Sequence, residues 1–447
     1  MKPALQRLLS DYGMILVLLL LCAFFSAVTL TEQTPTGETA ARQVAADLKH
    51  SPGKGGRVLI AARSQAEDAV FARALEQELS AAGLQVTVAA GDPHDAREAL
   101  QKLAAAHQPL DAIAGNQVTA AWLVFSDIPT DFPALGHPRI VKPRSYRWPN
   151  FLKSENLLNI ANQIAVIAII AIGMTMVIIT AGIDLSVGSL IALSAVLAAR
   201  FIRDCAGATH ASTTGMTVAC LAAVLLCGLV GVFSGGMITL FRIPPFIATL
   251  AMMLVGSGLA YLLAQGQSIY QIPDSFVWLG RGADFLRIPN AVLLMLVLYG
   301  LAHVLMSRMR LGRYLYAVGG NREAARLSGV PVRRVLLFAY AASGLLAGLG
   351  GVIMASQLKS GSPTYGNMYE LYIIAAVVVG GTSLSGGEGR MLGTLVGAFT
   401  IAVIQNGMNL TNVESYTQKV VLGLVILVAV LLDTLRHRRG RRGEAAD

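Results

Sequence analysis

The chain has 447 residues, of which 54% are hydrophobic and only 14% charged, with a mean hydropathy of +0.60. Soluble domains carry about a quarter charged residues, so a wholly soluble protein is excluded and most of this chain is solvated by lipid. The net charge of +9 does not mark a nucleic-acid binder, because the basic residues cluster beside apolar segments, the pattern that orients membrane proteins.

Ten apolar segments approach the roughly 20 residues that a helix needs to cross hydrocarbon: 14–30, 158–180, 186–203, 216–240, 246–264, 290–306, 332–356, 370–381, 391–408 and 418–433. An even number puts both termini on one side. Both ends are basic, with Lys2 and Arg7 at the start and Arg436, Arg438, Arg439, Arg441 and Arg442 in the 434–447 tail, so both are expected in the cytoplasm. The segment after the sixth span agrees, carrying Arg308, Arg310, Arg313, Arg322, Arg326, Arg333 and Arg334. Arg200 and Arg203 disagree, since this topology puts them outside. Cys22, Cys205, Cys220 and Cys227 lie in or beside apolar runs with no CxxC or Cys/His spacing, and read as packing residues without metal or cofactor.

The first span, within residues 1–30, follows a basic start as a secretory signal does. Its apolar run is long for a signal and no small-x-small cleavage site follows, which favours a retained anchor. Residues 31–149 then form an extracytoplasmic insertion of α/β character. Val58 to Ala61, Val86 to Ala90 and Ala112 to Ala114 read as strands. Between them, one helix starts at a Ser64/Glu67 capping box, carries Phe71, Leu75 and Leu79 on one face and stops at Gly83; another starts at Asp92 with Pro93 at its first position. Alternation of this kind means a parallel βαβαβ layer. SPGKGGR, 51–57, has the wrong spacing for a phosphate loop and reads as a linker. The chain re-enters the bilayer through RSYRWPNFLKSENLLNI, with Tyr146 and Trp148 as interfacial anchors and Phe151, Leu152, Leu157 and Leu158 as a surface-lying amphipathic turn.

From Ile164 to Ala199 the sole charge is Asp184, yet at about 1.5 Å per residue the run is too long for one crossing. Gly182 and Gly188 locate the break, and Asp184 or Ser186 is placed to cap the helix that follows. A capping carboxylate near the interface avoids the roughly 2.5–3.5 kcal/mol that a buried unpaired one costs on insertion scales. Further on, GRYLYAVGGNREAARLSGVPVRRV, 312–334, has paired Gly319 and Gly320 for a turn, Asn321 as a helix cap, and a short helix REAARL ended by Ser328 and Gly329. The segment reads equally as an ordinary charged loop. GGTSLSGG, 380–387, repeats the skeleton of the first break: Gly381, Leu384, Ser385 and Gly387 match Gly182, Leu185, Ser186 and Gly188, and Ser383 falls inside it. GMITL, 236–240, and GMNL, 407–410, echo each other more weakly. Short, glycine-interrupted segments paired in two halves of a chain point to a translocation path, or else to close packing by small residues. Asn162, Gln163, Thr175, Thr180, Ser194, Thr249, Gln357, Gln405 and Asn406 are the hydroxyl and amide side chains placed to meet a polyol at membrane depth. Acids and histidines there are scarce, His303 and Glu370 being the other obvious cases.

From about residue 150 to 433 the chain resembles an inner-membrane permease of the ribose/xylose/arabinose/autoinducer group of ATP-driven importers. The matching stretches are NLLNI with GMTMVIITAGIDLSVGSLIALSA, FRIPPFIATLAMM, GRYLYAVGGNREAARLSGV and ELYIIAAVVVGGTSLSGGEGRMLGTLVGA. The resemblance implies a polytopic α-helical membrane subunit that works as a pair, with a second copy or a paralogue. A separate cytoplasmic ATP-binding-cassette ATPase would drive it and a periplasmic solute-binding protein would deliver a sugar or similar polar solute. It also implies a coupling helix that docks on the ATPase, at Glu323, Ala324, Ala325, Arg326 and Gly329. The insertion departs from this group; DAIAGNQVTAAW, 111–122, is similar to part of a periplasmic sugar-binding lobe, but an accessory domain that braces the outer face is the preferred reading. A secondary carrier or channel without an ATPase, and a scaffold presenting the α/β domain, stay open beside the importer.

Overall fold

A computed structural model describes residues 3–49 and 55–444, with side chains over 13–49 and 55–431. Lys2, residues 51–54 of the expected linker, and the side chains of Arg7 and of the basic tail lie outside the described residues. The chain divides into two units, Leu30–Pro149 and Met1–Thr29 with Asn150–Asp447. Helix α1 (Pro3–Val28) opens the second of these.

In the unit Leu30–Pro149, β1 (Leu30–Gln33) pairs antiparallel with β6 (Tyr146–Pro149), closing its two ends on each other. Between them, α2 (Gly37–Lys49), β2 (Arg57–Ala62), α3 (Ala66–Ala81), β3 (Gln85–Ala90), α4 (Pro93–Ala105), β4 (Ala112–Gly115) and β5 (Arg139–Val141) follow in order. The last four strands form a parallel sheet in the order β3-β2-β4-β5. Alternate residues of β2 serve opposite faces, as strand geometry requires: Val58 and Ile60 pack on α2 and α3, Leu59 and Ala61 on α4 and the short helical turn Leu123–Ser126 that carries Phe125. Helix α4 starts as its sequence predicts, with the Asp92 carboxylate accepting from His94 N at 2.7 Å and Asp95 N at 3.2 Å while Asp95 accepts from Asp92 N at 2.8 Å. The box expected at Ser64 and Glu67 does not form. Gln65 holds the N-cap position of α3 without a side-chain bond, and the buried Asp68 takes Arg63 N at 3.2 Å and Arg63 Nε at 2.7 Å instead. Burial decides this, because a buried carboxylate requires partners while exposed Ser64 and Glu67 can bond to water.

The other unit is helical. After Asn150 come α5 (Ser154–Ile179), α6 (Val187–Cys205), α7 (Thr213–Leu240), α8 (Pro245–Ala264), α9 (Asn290–Arg308), α10 (Arg310–Gly320), α11 (Arg322–Leu327), α12 (Val332–Leu358), α13 (Tyr369–Val379), α14 (Met391–Leu410) and α15 (Ser415–Glu444). Among the described residues, six helices are long and apolar enough to cross a membrane: α5, α7, α8, α9, α12 and α14. Helix α5 is wholly buried from Ile164 to Ile179, whereas α7, α8 and α9 expose leucine-rich faces suited to lipid. Helix α12 runs through the centre against α5, α6 and α7. Its backbone approaches theirs so closely that a Cβ on Gly173 of α5 would sit 2.6 Å from Ser343 Cα, and one on Gly231 of α7 2.2 Å from Tyr340 O. Small residues substitute here for the hydrophobic drive that lipid does not supply between helices. Phe151 is not part of a surface-lying turn as expected: it is 1% exposed, its ring stacked 6.2 Å from that of Phe25 in α1, while Leu152 and Leu157 face outward. An aromatic ring gains more by filling the joint between α1 and α5 than by lying at an interface.

Candidate functional site

The two glycine-flanked breaks fall where the sequence puts them, one between α5 and α6 and the other between α13 and α14. At the first, the backbone turns through Ala181 (φ +58°), and Asp184 Oδ1 accepts from Ser186 N at 3.0 Å and Ser186 Oγ at 2.6 Å. At the second it turns through Gly381 (φ +87°), and Ser383 Oγ accepts from Ser385 N at 3.2 Å. Asp184 and Ser383 are equivalent in the repeated skeleton, and each closes the same turn onto the amide two residues on. The sequence echo is therefore a repeat of one turn, 184–186 and 383–385, while the positive-φ residue stands one position earlier in the first skeleton than in the second and helix resumes at 187 in the first but at 391 in the second.

Asp184 has a different task from the expected one. It is 1% exposed, and Ser186, the N-cap residue of α6, makes no side-chain cap bond. The second carboxylate oxygen accepts from Ser343 Oγ of α12 at 2.7 Å, so Asp184 ties the first break to the central helix rather than capping α6. Three bonds offset the burial that an unpaired carboxylate cannot bear. Tyr340, one helical turn before Ser343, stands over Gly182, where a Cβ would lie 2.4 Å from its hydroxyl; that hydroxyl is buried without a hydrogen-bond partner among the described residues. Ser343 and Tyr340 escaped the sequence reading. Their signal is a polar pair at helical spacing inside the small-residue stripe FAYAASGLLAGLGG, 338–351.

The breaks meet each other, and α10 meets both. Gly387 N donates to Ile179 O at 2.8 Å, satisfying a carbonyl at the end of α5 that has no partner within its own helix. Helix α10 presses its last turn into the same spot: a Cβ on Gly319 would fall 1.7 Å from Ile179 O and 2.6 Å from Gly387 N. Gly319 and Gly320 are thus the end of a helix in close contact, not the turn that their pairing predicts. Tyr316 of α10 donates to Gly389 O at 2.8 Å, and burial raises its phenol above the ordinary value, so it stays a neutral donor at physiological pH.

Helix α11 projects from this contact as expected from its sequence. Asn321 Oδ1 accepts from Ala324 N at 2.9 Å at one end. At the other, after Ser328, Gly329 (φ +81°) donates to Arg326 O and Val330 N reaches Ala325 O at 3.0 Å, a Schellman closure. Ala325 is buried, whereas Arg322, Glu323, Ala324, Arg326 and Leu327 face outward, with Glu323 and Arg326 paired at 2.9 Å. Most of the expected polar path residues instead brace helices. Thr175 bonds Thr394 at 2.8 Å, Ser194 donates to Gly348 O, Thr180 to Val177 O, Thr249 to Ile183 O, Asn162 to Gly280 O and Gln357 to Asn162 O, while Asn406 and Asn156 exchange two bonds. Gln163 is exposed and Gln405 half-buried.

Apolar helices broken twice, with α10 packed against both breaks, are compatible with a membrane permease of a transport system. The chain belongs to the family described as branched-chain amino acid transport system / permease component, whose model matches residues 156–430. The ribose import permease protein of Escherichia coli K12 is 44% identical over 297 residues, 65% of this chain and 88% of that protein. The ribose import permease protein of Bacillus subtilis 168 is 44% identical over 287 residues, 64% and 86% of the two chains. The D-allose transport system permease protein of E. coli K12 is 35% identical over 285 residues, 64% and 85%. No solved structure matches. The protein is accordingly a transport component and not an enzyme.

Two outcomes are expected in thermal unfolding of the purified protein. Asp184→Ala leaves two buried hydroxyls and an amide unpaired, at about 1–3 kcal/mol each, and lowers Tm by several degrees, whereas Asp184→Asn retains most of the stability. Gly319→Ala costs about 1–3 kcal/mol by overpacking; Gly320→Ala, whose Cβ meets nothing within 4 Å, leaves Tm within error.

Proposed function

We propose that the chain is the membrane-spanning subunit of an ATP-binding-cassette importer for a sugar or closely similar polyhydroxylated solute. The observation that carries this reading is α11, a helix fixed at both ends and open to solvent, whose preceding helix abuts both breaks. Such an element suits docking on a cytoplasmic ATPase and passing its movement to the membrane core. The names of the ribose and D-allose relatives support the solute class. A solute-binding protein on the outer side and a second permease subunit, a copy or a paralogue, complete the assembly.

In this arrangement α1, α5 to α9 and α12 to α15 make ten crossings, and both termini and residues 312–334 lie in the cytoplasm. Three features support it. Phe25 of α1 stacks on Phe151 and fills the space over Gly407 of α14, which favours a retained first helix. Arg200 and Arg203, the charges at odds with the orientation, share the single carboxylate of Asp204, and Arg200 also donates to Leu263 O at 2.9 Å, so the net excess at this end is one positive charge rather than two. Helix α15 carries the basic tail. The breaks Gly182–Gly188 and Gly381–Gly387 then belong to the moving core beside the translocation path. The unit Leu30–Pro149 is an accessory domain on the outer side that braces the bilayer surface or the binding protein.

Leu327 is the large apolar side chain of α11, at 80% exposure. Leu327→Asp is expected to cut co-purification with the partner ATPase and ATP-driven uptake at least about tenfold, the scale of one interface hot spot, while Tm stays unchanged; uptake that persists without any ATPase overturns the importer reading. Deletion of residues 35–145 should weaken uptake or binding-protein affinity, and both unchanged would remove the docking role of the α/β unit.

A further inference from the structure

Helix α13 has 11 residues, about 16 Å at 1.5 Å per residue, half of a roughly 30 Å hydrocarbon core. The rest of that passage is made by backbone without helix, residues 359–368. This segment lies along α6: Cβ atoms added to Gly361 would touch Ala195 O and Ala199, and to Gly366 would touch Gly188 O and Ile191. It therefore descends past about two turns of α6, ~10 Å, to the end where the first break begins. Irregular backbone at such depth is tolerated only where protein buries it or where it lines a polar cavity. Its two sides divide on this point. Ser360, Gly361, Ser362 and Gly366 are buried, the two glycines against α6, whereas Thr364, Asn367 and Met368 are exposed.

At its foot stands Glu370, half-buried, its carboxylate bonded to no other residue among the described ones. It enters none of the ion pairs of the described residues. Glycine at 188 makes room for it: a Cβ there would lie 2.2 Å from Glu370 Oε2 and 2.7 Å from Gly366 O. An unpaired carboxylate within a membrane bundle is costly and marks a functional position. Asn367, three residues earlier, is exposed with no side-chain hydrogen bond among the described residues, and Thr364 shares its hydroxyl with Ser362 at 3.0 Å.

We propose that Glu370, Asn367 and Thr364 form a binding step for a neutral polyhydroxylated solute midway across the membrane, with Glu370 accepting hydroxyl hydrogens through both oxygens. The proposal rests on the importer reading above and gives its path a location. A carboxylate accepts two vicinal hydroxyls, and the amide and hydroxyl supply both donors and acceptors, the exchange that a sugar leaving water requires. The polar side chains expected to do this from the sequence are mostly committed to helix packing; these three are not.

The test uses the protein assembled with its ATPase and binding protein in vesicles, with radiolabelled D-ribose and D-allose as probes. Glu370→Gln is expected to lower uptake at least about tenfold, the effect of losing a charge-assisted hydrogen bond, and to change the ratio of ribose to allose transported. Asn367→Ala, a truncation at an exposed and unbonded side chain, should lower uptake severalfold and move the same ratio; it decides the matter alone where Glu370→Gln does not assemble. Gly300→Ala, whose Cβ meets nothing within 4 Å, serves as the control and transports as the unaltered protein does. Loss of rate with an unchanged ratio in both variants, or full rate with an unchanged ratio, overturns the site. An unaltered assembly that moves neither sugar overturns the sugar reading and the solute class with it, while ATP-driven uptake with indifferent variants removes this placement only.

Discussion

The hydrogen bond from Gly387 N to Ile179 O, with Gly319 pressed against it, is the contact on which the membrane unit is organised. Helix α5 has to stop inside the protein, and its terminal carbonyl needs a donor that lipid cannot supply. The donor comes from the other break, so each interruption satisfies the other. Because Gly319 lacks a Cβ, α10 reaches the same point. Three segments separated widely in sequence thus share one junction.

Around that junction the polar groups are sorted by whether a partner lies within reach. Asp184 finds Ser186 and Ser343, Thr175 finds Thr394, and Asn156 finds Asn406. Each pair satisfies groups that would otherwise be unbonded in hydrocarbon, and each fixes one helix against another. Glu370 and Asn367 stand apart from this sorting. The buried hydroxyl of Tyr340, without a partner among the described residues, is a further exception.

Much of this was legible in the amino-acid sequence because it depends on local rules. Apolar length marked a helix at each of the ten expected segments; Asp92 with Pro93 marked the start of α4; Asn321 and Gly329 marked both ends of α11. The repeated GxxLSxG skeleton corresponds to a repeated turn. What failed depended on distant partners. The chemistry of Asp184 as a cap is local, and its bond to Ser343 spans 159 residues. Gly319 and Gly320 suit a turn by composition, yet their role is set by Ile179 and Gly387. Ser64 and Glu67 have the spacing of a capping box, but the burial of Asp68 beside Arg63 settles that helix start differently. Helix α2 has the amphipathic spacing Ala40, Ala41, Val44, Ala45, Leu48, a local signal that was overlooked, whereas the three-residue β5 has little signal of its own and is held by its pairing with β4.

The reciprocal amide pair of Asn156 and Asn406 has a consequence for biogenesis. Its partners are 250 residues apart, and Thr175 and Thr394 are separated by 219. At about 5–20 residues per second, α5 leaves the ribosome roughly 10–50 s before α14 exists to bond it. During that interval the most buried helix of the membrane unit has an amide and a hydroxyl without their final partners. Its early lodging is therefore provisional, and the second half of the chain completes the first as it is made.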